Sequence, residues 1–86
     1  MNTSPGGDLI TPNSVRDFTS VGVVTVAEAM PCQDGWQMRV QVGGKDRTLR
    51  MYDASEARTF VTLDALARHA KRLGITRIVA DLESMI

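Results

Sequence analysis

The side chains with the widest chemical options are one histidine, one cysteine and a few carboxylates, and their spacing predicts no reaction centre. His69 follows Leu66 by three residues on a helical pattern whose exposed neighbours are basic. A general base needs an orienting group and a pocket, and neither stands at helical spacing from His69. It reads as a plain surface or boundary histidine. Cys32 sits beside Pro31 without a second thiol or neighbouring histidine, so it reads as a passive thiol that cannot form an internal disulfide. Asp64, Asp81 and Glu83 fall on different elements, and Asp64 is explained as a favourable charge at a helix start. Gly6-Gly7 and Gly43-Gly44 lack the spacing and following Lys-Ser/Thr of a phosphate loop. The expectation is a non-enzyme with no catalytic residues, no metal site and no cofactor.

Binding chemistry is better represented. From Trp36 the chain alternates, with Trp36, Met38, Val40 and Val42 on one face and Gln37, Arg39 and Gln41 on the other. Gly43-Gly44 is a two-residue hairpin signal that pairs Val42 with Lys45, Val40 with Arg47, Met38 with Leu49 and Trp36 with Met51. That register gathers Gln37, Arg39, Gln41, Thr48, Arg50 and Tyr52 on one polar face. Arg and Tyr are enriched at binding hot spots, and Arg39 and Arg50 are placed to grip a carboxylate or phosphate. A solvated face is the plainer reading of the same residues. Arg68, Lys71 and Arg72 form a candidate basic patch near the end of the predicted main helix.

The elements that must position these groups are legible. Thr11 as N-cap and Pro12 at the first helical position start a helix of about two turns anchored by Phe18. Val21 to Met30 reads as a strand stopped by Pro31 and covered on both faces. Gln33-Asp34-Gly35 is a turn, Arg58 to Val61 a short strand, and Thr62 the N-cap of a helix from about Leu63 to Leu73. Leu63, Leu66, Ala67, Ala70 and Leu73 share one side of it, and Gly74 supplies the left-handed cap. Ile78, Ala80 and Leu82 can face the core in a last strand, and if that strand pairs in parallel with the Arg58 to Val61 strand the crossover is right-handed. The predicted fold is α+β: a small antiparallel sheet with a central hairpin, one main helix on one face, a short N-terminal helix and a C-terminal strand. Residues 1 to 10 read as a flexible terminus and 11 to 86 as a single domain.

With 86 residues and 10 basic against 10 acidic side chains, the chain has no net charge with which to bind phosphate backbones broadly. A DNA-reading ribbon is disfavoured on that ground and by the lack of paired aromatics for stacking. No apolar run approaches the roughly 20 residues that span a bilayer, and the chain opens without a signal-peptide pattern. A cytoplasmic protein without membrane contact is expected. Open sheet edges suggest a homodimer, and Met30, Met38, Met51 and Met85 offer adaptable apolar surface or core filling.

The segment Arg58-Thr-Phe-x-x-Leu-Asp-Ala-x-x-Arg-x-x-Lys-x-Leu-Gly-Ile-x-Arg77, followed by a strand ending at Asp81, resembles small plasmid-encoded partition-associated proteins of the ParC family. Val23 to Ala29 and Gly35-Trp36 match the strand and hairpin that precede the helix there, so the resemblance covers residues 12 to 82. It implies a non-enzymatic accessory of plasmid partition or other mobile-element biology and carries over no catalytic residues. A protein partner is therefore expected, either a partition protein or, for an inhibitor of the anti-CRISPR or anti-restriction type, a host defence protein. A DNA-binding dimer is the remaining alternative.

Overall fold

The computed structural model describes residues 9–84. Two threonine caps set the helices. Thr11 accepts the Ser14 N–H at 3.1 Å and starts α1, Pro12–Ser20. Thr62 accepts the Ala65 N–H at 3.0 Å and starts α2, Leu63–Arg72. Each threonine satisfies a donor that the first helical turn leaves without a partner. Gly74, at φ +93°, ends α2 in the left-handed conformation that glycine adopts at little cost.

The strands are β1 (Leu9–Ile10), β2 (Val26–Cys32), β3 (Gly35–Val42), β4 (Lys45–Leu49), β5 (Thr59–Phe60) and β6 (Arg77–Ala80), with a short 3-10 turn at Leu82–Ser84. They form one sheet in the order β1-β4-β3-β2-β6, with β5 also on β3. The fold is α+β, and its antiparallel centre is the hairpin β3–β4, closed at Gly43-Gly44 with Val42 opposite Lys45 and Val40 opposite Arg47. The sheet is mixed rather than purely antiparallel, because β1 joins β4 and β6 joins β2 in parallel.

The core lies between one sheet face and both helices. Ala27, Ala29, Met38, Val40 and Leu49 from the sheet meet Val15 of α1 and Leu66, Ala70, Leu73 and Ile75 of the α2 region, all nearly inaccessible. The helices are joined where they end: the Thr19 hydroxyl donates to the Leu73 carbonyl at 2.6 Å.

Further expectations change, among them Leu82, which lies in the 3-10 turn and is exposed rather than facing the core. First, Leu9 and Ile10 are a strand, Ile10 is buried, and residues 1 to 8 of the expected flexible terminus lie outside the described residues. Second, β2 begins at Val26 and runs through Pro31. The Asp81 N–H bonds the Ala29 carbonyl, so by alternation Pro31 also turns its backbone toward β6, beyond the paired end of that strand; the missing N–H costs no ladder bond. Third, β2 is covered on one face only, leaving Val26 40% exposed, while Val21 and Val23 are exposed in the α1–β2 connection. Fourth, the β3–β4 ladder stops at Arg39–Thr48, and Trp36 pairs with Phe60 instead of Met51. The chain folds back after Leu49, with the Met51 N–H bonded to the Glu56 carbonyl and the Arg58 N–H to the Leu49 carbonyl, and β5 takes the vacated stretch of β3.

Fifth, β6 pairs with β2 and not with β5. Two alanines on β2 let α2 settle over the middle of the sheet, and its rise of about 15 Å carries the chain past β3 and β2 to the far edge.

Candidate interaction face

Because side chains alternate across a strand, residues paired with Arg39 share its face, which is opposite the helices. Arg39 stands between Glu28 and Thr48, Glu28 pairs with Val79, and Thr48 with Leu9. Gln41 opposite Asp46, and Met30 opposite Gln37 opposite Thr59, form the neighbouring rows. Gln37, Arg39, Gln41 and Thr48 are therefore on one outer face, as expected.

Arg50 and Tyr52 do not complete the cluster. Arg50 makes an isolated bridge to Ala57 and its Nε donates to the Met51 carbonyl at 3.2 Å. Tyr52 lies in the turn beyond β4, 73% exposed, because the chain leaves the β3 ladder before reaching it. A joint grip by Arg39 and Arg50 gives way to a different arrangement. Arg39 donates from both Nε and Nη2 to Glu28 Oε1, at 2.9 and 2.7 Å. This is an internal charge-assisted pair that fixes the guanidinium on the sheet.

Glu28 was not among the residues singled out, and neither were the valines beside it. The signal was present: counting outward from the turn Gln33-Asp34 places Glu28 opposite Arg39. Val26 and Val79 stay 40% and 50% exposed on this face. Together with Glu28, Arg39, Gln41 and Asp46 they line a shallow depression of about 280 Å³. Two aliphatic side chains thus stand at the Glu28 end of a fixed ion pair, with amide and carboxylate groups at the margin. Such a surface sets exposed apolar area beside an oriented guanidinium.

No family model, curated protein or solved structure gives a significant match to the chain.

The helix side differs from expectation in detail. Arg68 pairs with Asp64 one turn earlier, Nε to Oδ2 at 3.1 Å, and this hydrogen bond holds its pKa above the ordinary arginine value. Lys71 and Arg72 remain exposed, so the patch Arg68, Lys71 and Arg72 is partly neutralised from within. His69 occupies a boundary position against Phe60, with ring centroids 5.4 Å apart and planes tilted by 49°. Arg58 Cζ stands 5.0 Å from the centroid of the same Phe60 ring. The His69 Nε2 is buried without a hydrogen-bond partner among the described residues. Burial first, then the positive charges of Arg58, Arg72 and Arg16, push the His69 pKa down, so the imidazole is neutral at neutral pH. Cys32 is partly exposed at the end of β2, opposite Gly35. Among the described residues no group of three or more His, Cys, Asp or Glu side chains is arranged to hold a metal ion. None of their helices is long and apolar enough to cross a membrane.

Proposed function

We propose that this protein is a non-enzymatic binding module that engages a protein partner with the outer face of its sheet, in plasmid maintenance or other mobile-element biology. The observation that carries the reading is the outer face itself: Val26 and Val79 stand exposed around a Glu28–Arg39 pair already fixed in place. A partner landing there buries aliphatic surface and meets a guanidinium whose orientation is set before binding, which lowers the entropic cost of association. The setting rests on the ParC-like pattern from Arg58 to Arg77.

The test is affinity capture from the host lysate, with and without nuclease, using the wild type, an outer-face variant (Val26→Lys with Gln41→Glu) and a helix-face variant (Lys71→Glu with Arg72→Glu). Capture of a partition protein that survives nuclease and is lost only with the outer-face variant supports the proposal. A host defence complex behaving in the same way keeps the interaction face and changes the setting to inhibition. Equal capture by all three proteins, or capture abolished by nuclease, refutes it.

A further inference from the structure

Three arginines from three parts of the chain converge on the helix side of the sheet. Arg58 leads into β5 and by alternation shares the face of Phe60, with its Cζ 5.0 Å from the centroid of that ring. His69 of α2 lies against the same ring, centroids 5.4 Å apart, and Arg72 follows it by one helical turn. Arg16 comes from α1, one turn before Thr19. The Thr19 hydroxyl donates to the Leu73 carbonyl, so this face of α1 is turned toward the end of α2. The charges of Arg58, Arg72 and Arg16 all act on His69.

These groups lack partners of opposite charge. The ion pairs among the described residues engage Arg39 and Arg68, and none of Arg16, Arg58 and Arg72. Arg58 is half-buried, yet among the described residues its guanidinium makes no hydrogen bond. The His69 Nε2 is buried and also without a partner among them. Polar groups withdrawn from water are nearly always satisfied, and cations gathered together repel unless an anion neutralises them. The negative end of the α2 dipole accounts for a cation in the last turn, such as Arg72. It does not account for Arg16 and Arg58, which other parts of the chain carry to the same place.

We propose that the junction of α1, α2 and β5 is an anion site for a phosphate group, free or carried on a small ester, held by Arg16, Arg58 and Arg72. The number of donors favours phosphate over carboxylate. One guanidinium fork satisfies a carboxylate, whereas three serve the several oxygens and the double charge of a phosphate group. Phe60 is buried and holds Arg58 against its ring, so one donor is positioned before the anion arrives. Arg16 and Arg72 are exposed and close on it from the solvent side. The site is on the helix side of the sheet and does not depend on what the outer face binds.

The test uses the purified protein and sodium phosphate at about pH 7.5, where phosphate is mostly a dianion, with chloride at matched ionic strength as control. NMR of the arginine Nε–H groups and the His69 ring should show saturable binding with a dissociation constant of about 0.1–10 mM, as suits a site open to solvent. Arg16→Gln and Arg72→Gln, both at exposed positions, should each weaken binding about tenfold, the loss of one charged hydrogen-bonding partner. Lys71→Gln and Arg77→Gln remove the same charge outside the junction and should leave binding unchanged. Phosphate should also raise the pKa of His69, because the anion offsets the three arginines; a cluster with a purely structural role would not show this. Titration with glycerol 2-phosphate separates the sources: tighter binding than inorganic phosphate identifies a phosphate ester as the ligand, and weaker binding identifies free phosphate. No saturation below about 50 mM, equal losses in Lys71→Gln and Arg72→Gln, or a His69 pKa indifferent to phosphate overturns the proposal.

Discussion

The Glu28–Arg39 pair allows a quantitative test of whether the outer face is pre-built. Both groups are about one-third exposed, at 37% and 30% of their side-chain surface, so their interaction falls between the water and interior limits. Coulomb attraction at such separations is about 1 kcal/mol in water and about 4 kcal/mol at an effective dielectric constant of 20. Holding two long side chains in one geometry and screening by salt remove most of it. Exposed pairs and cross-strand opposite charges retain about 0.2–1 kcal/mol. Two donors on one oxygen, in direct register across β2 and β3, place this pair in the upper half of that range. A double-mutant cycle of Glu28→Ala, Arg39→Ala and the double variant, measured by urea unfolding, should give a coupling energy of about 0.5–1 kcal/mol. In a domain of this size that corresponds to about 2–8 °C in Tm. The coupling should shrink in 1 M salt, where the Debye length is about 3 Å. A coupling below about 0.2 kcal/mol, or one indifferent to salt, would place the pair among surface contacts that contribute nothing measurable. The claim that Arg39 is oriented before a partner arrives would then fail.

Three other outcomes follow from packing and titration. A Cβ on Gly74 would approach Thr19 Oγ1 to 2.7 Å in a backbone with φ +93°. Gly74→Ala should therefore cost about 2–3 kcal/mol, combining left-handed strain with loss of the Thr19–Leu73 bond. Adding Thr19→Ala to it should cost less than the sum of the two single losses, as chemical denaturation will read. At Gly35 a Cβ would lie 2.1 Å from the Phe60 carbonyl, so Gly35→Ala should separate β5 from β3, and hydrogen exchange should show faster amides in β5 than in β2. The lowered pKa of His69 means that the unfolded chain takes up its proton first. Its contribution to stability is complete above pH about 6.5, the unfolded value, and is lost as pH falls through the folded value. Urea midpoints between pH 7.5 and 5 should fall less for His69→Gln than for the wild type, and identical falls would refute the assignment.

Much of this molecule was decided locally. Thr11-Pro12, Thr62 and Gly74 mark helix ends because capping chemistry lies within a few residues of the boundary. Gly43-Gly44 closes β3–β4 because a two-residue turn dictates the pairs on either side of it, and the same alternation put Gln37, Arg39, Gln41 and Thr48 on one face. What lay farther from a turn was not legible. The excursion at residues 51–56 moved Tyr52 off the face and gave Trp36 a new neighbour in Phe60, through main-chain bonds that no side-chain pattern records. Glu28 is the exception, since the turn Gln33-Asp34 sets the β2–β3 register that places it opposite Arg39. The placement of β6 beside β2 depended on where α2 could settle, which the small side chains of Ala27 and Ala29 determine only once β2 and β3 are assembled. The sequence by itself set the caps, the central hairpin and the alternation of faces, because these are nearest-neighbour properties of the chain. Only the tertiary structure decided which face stayed open and which strand became the edge, because each depends on groups brought together by packing rather than by sequence proximity.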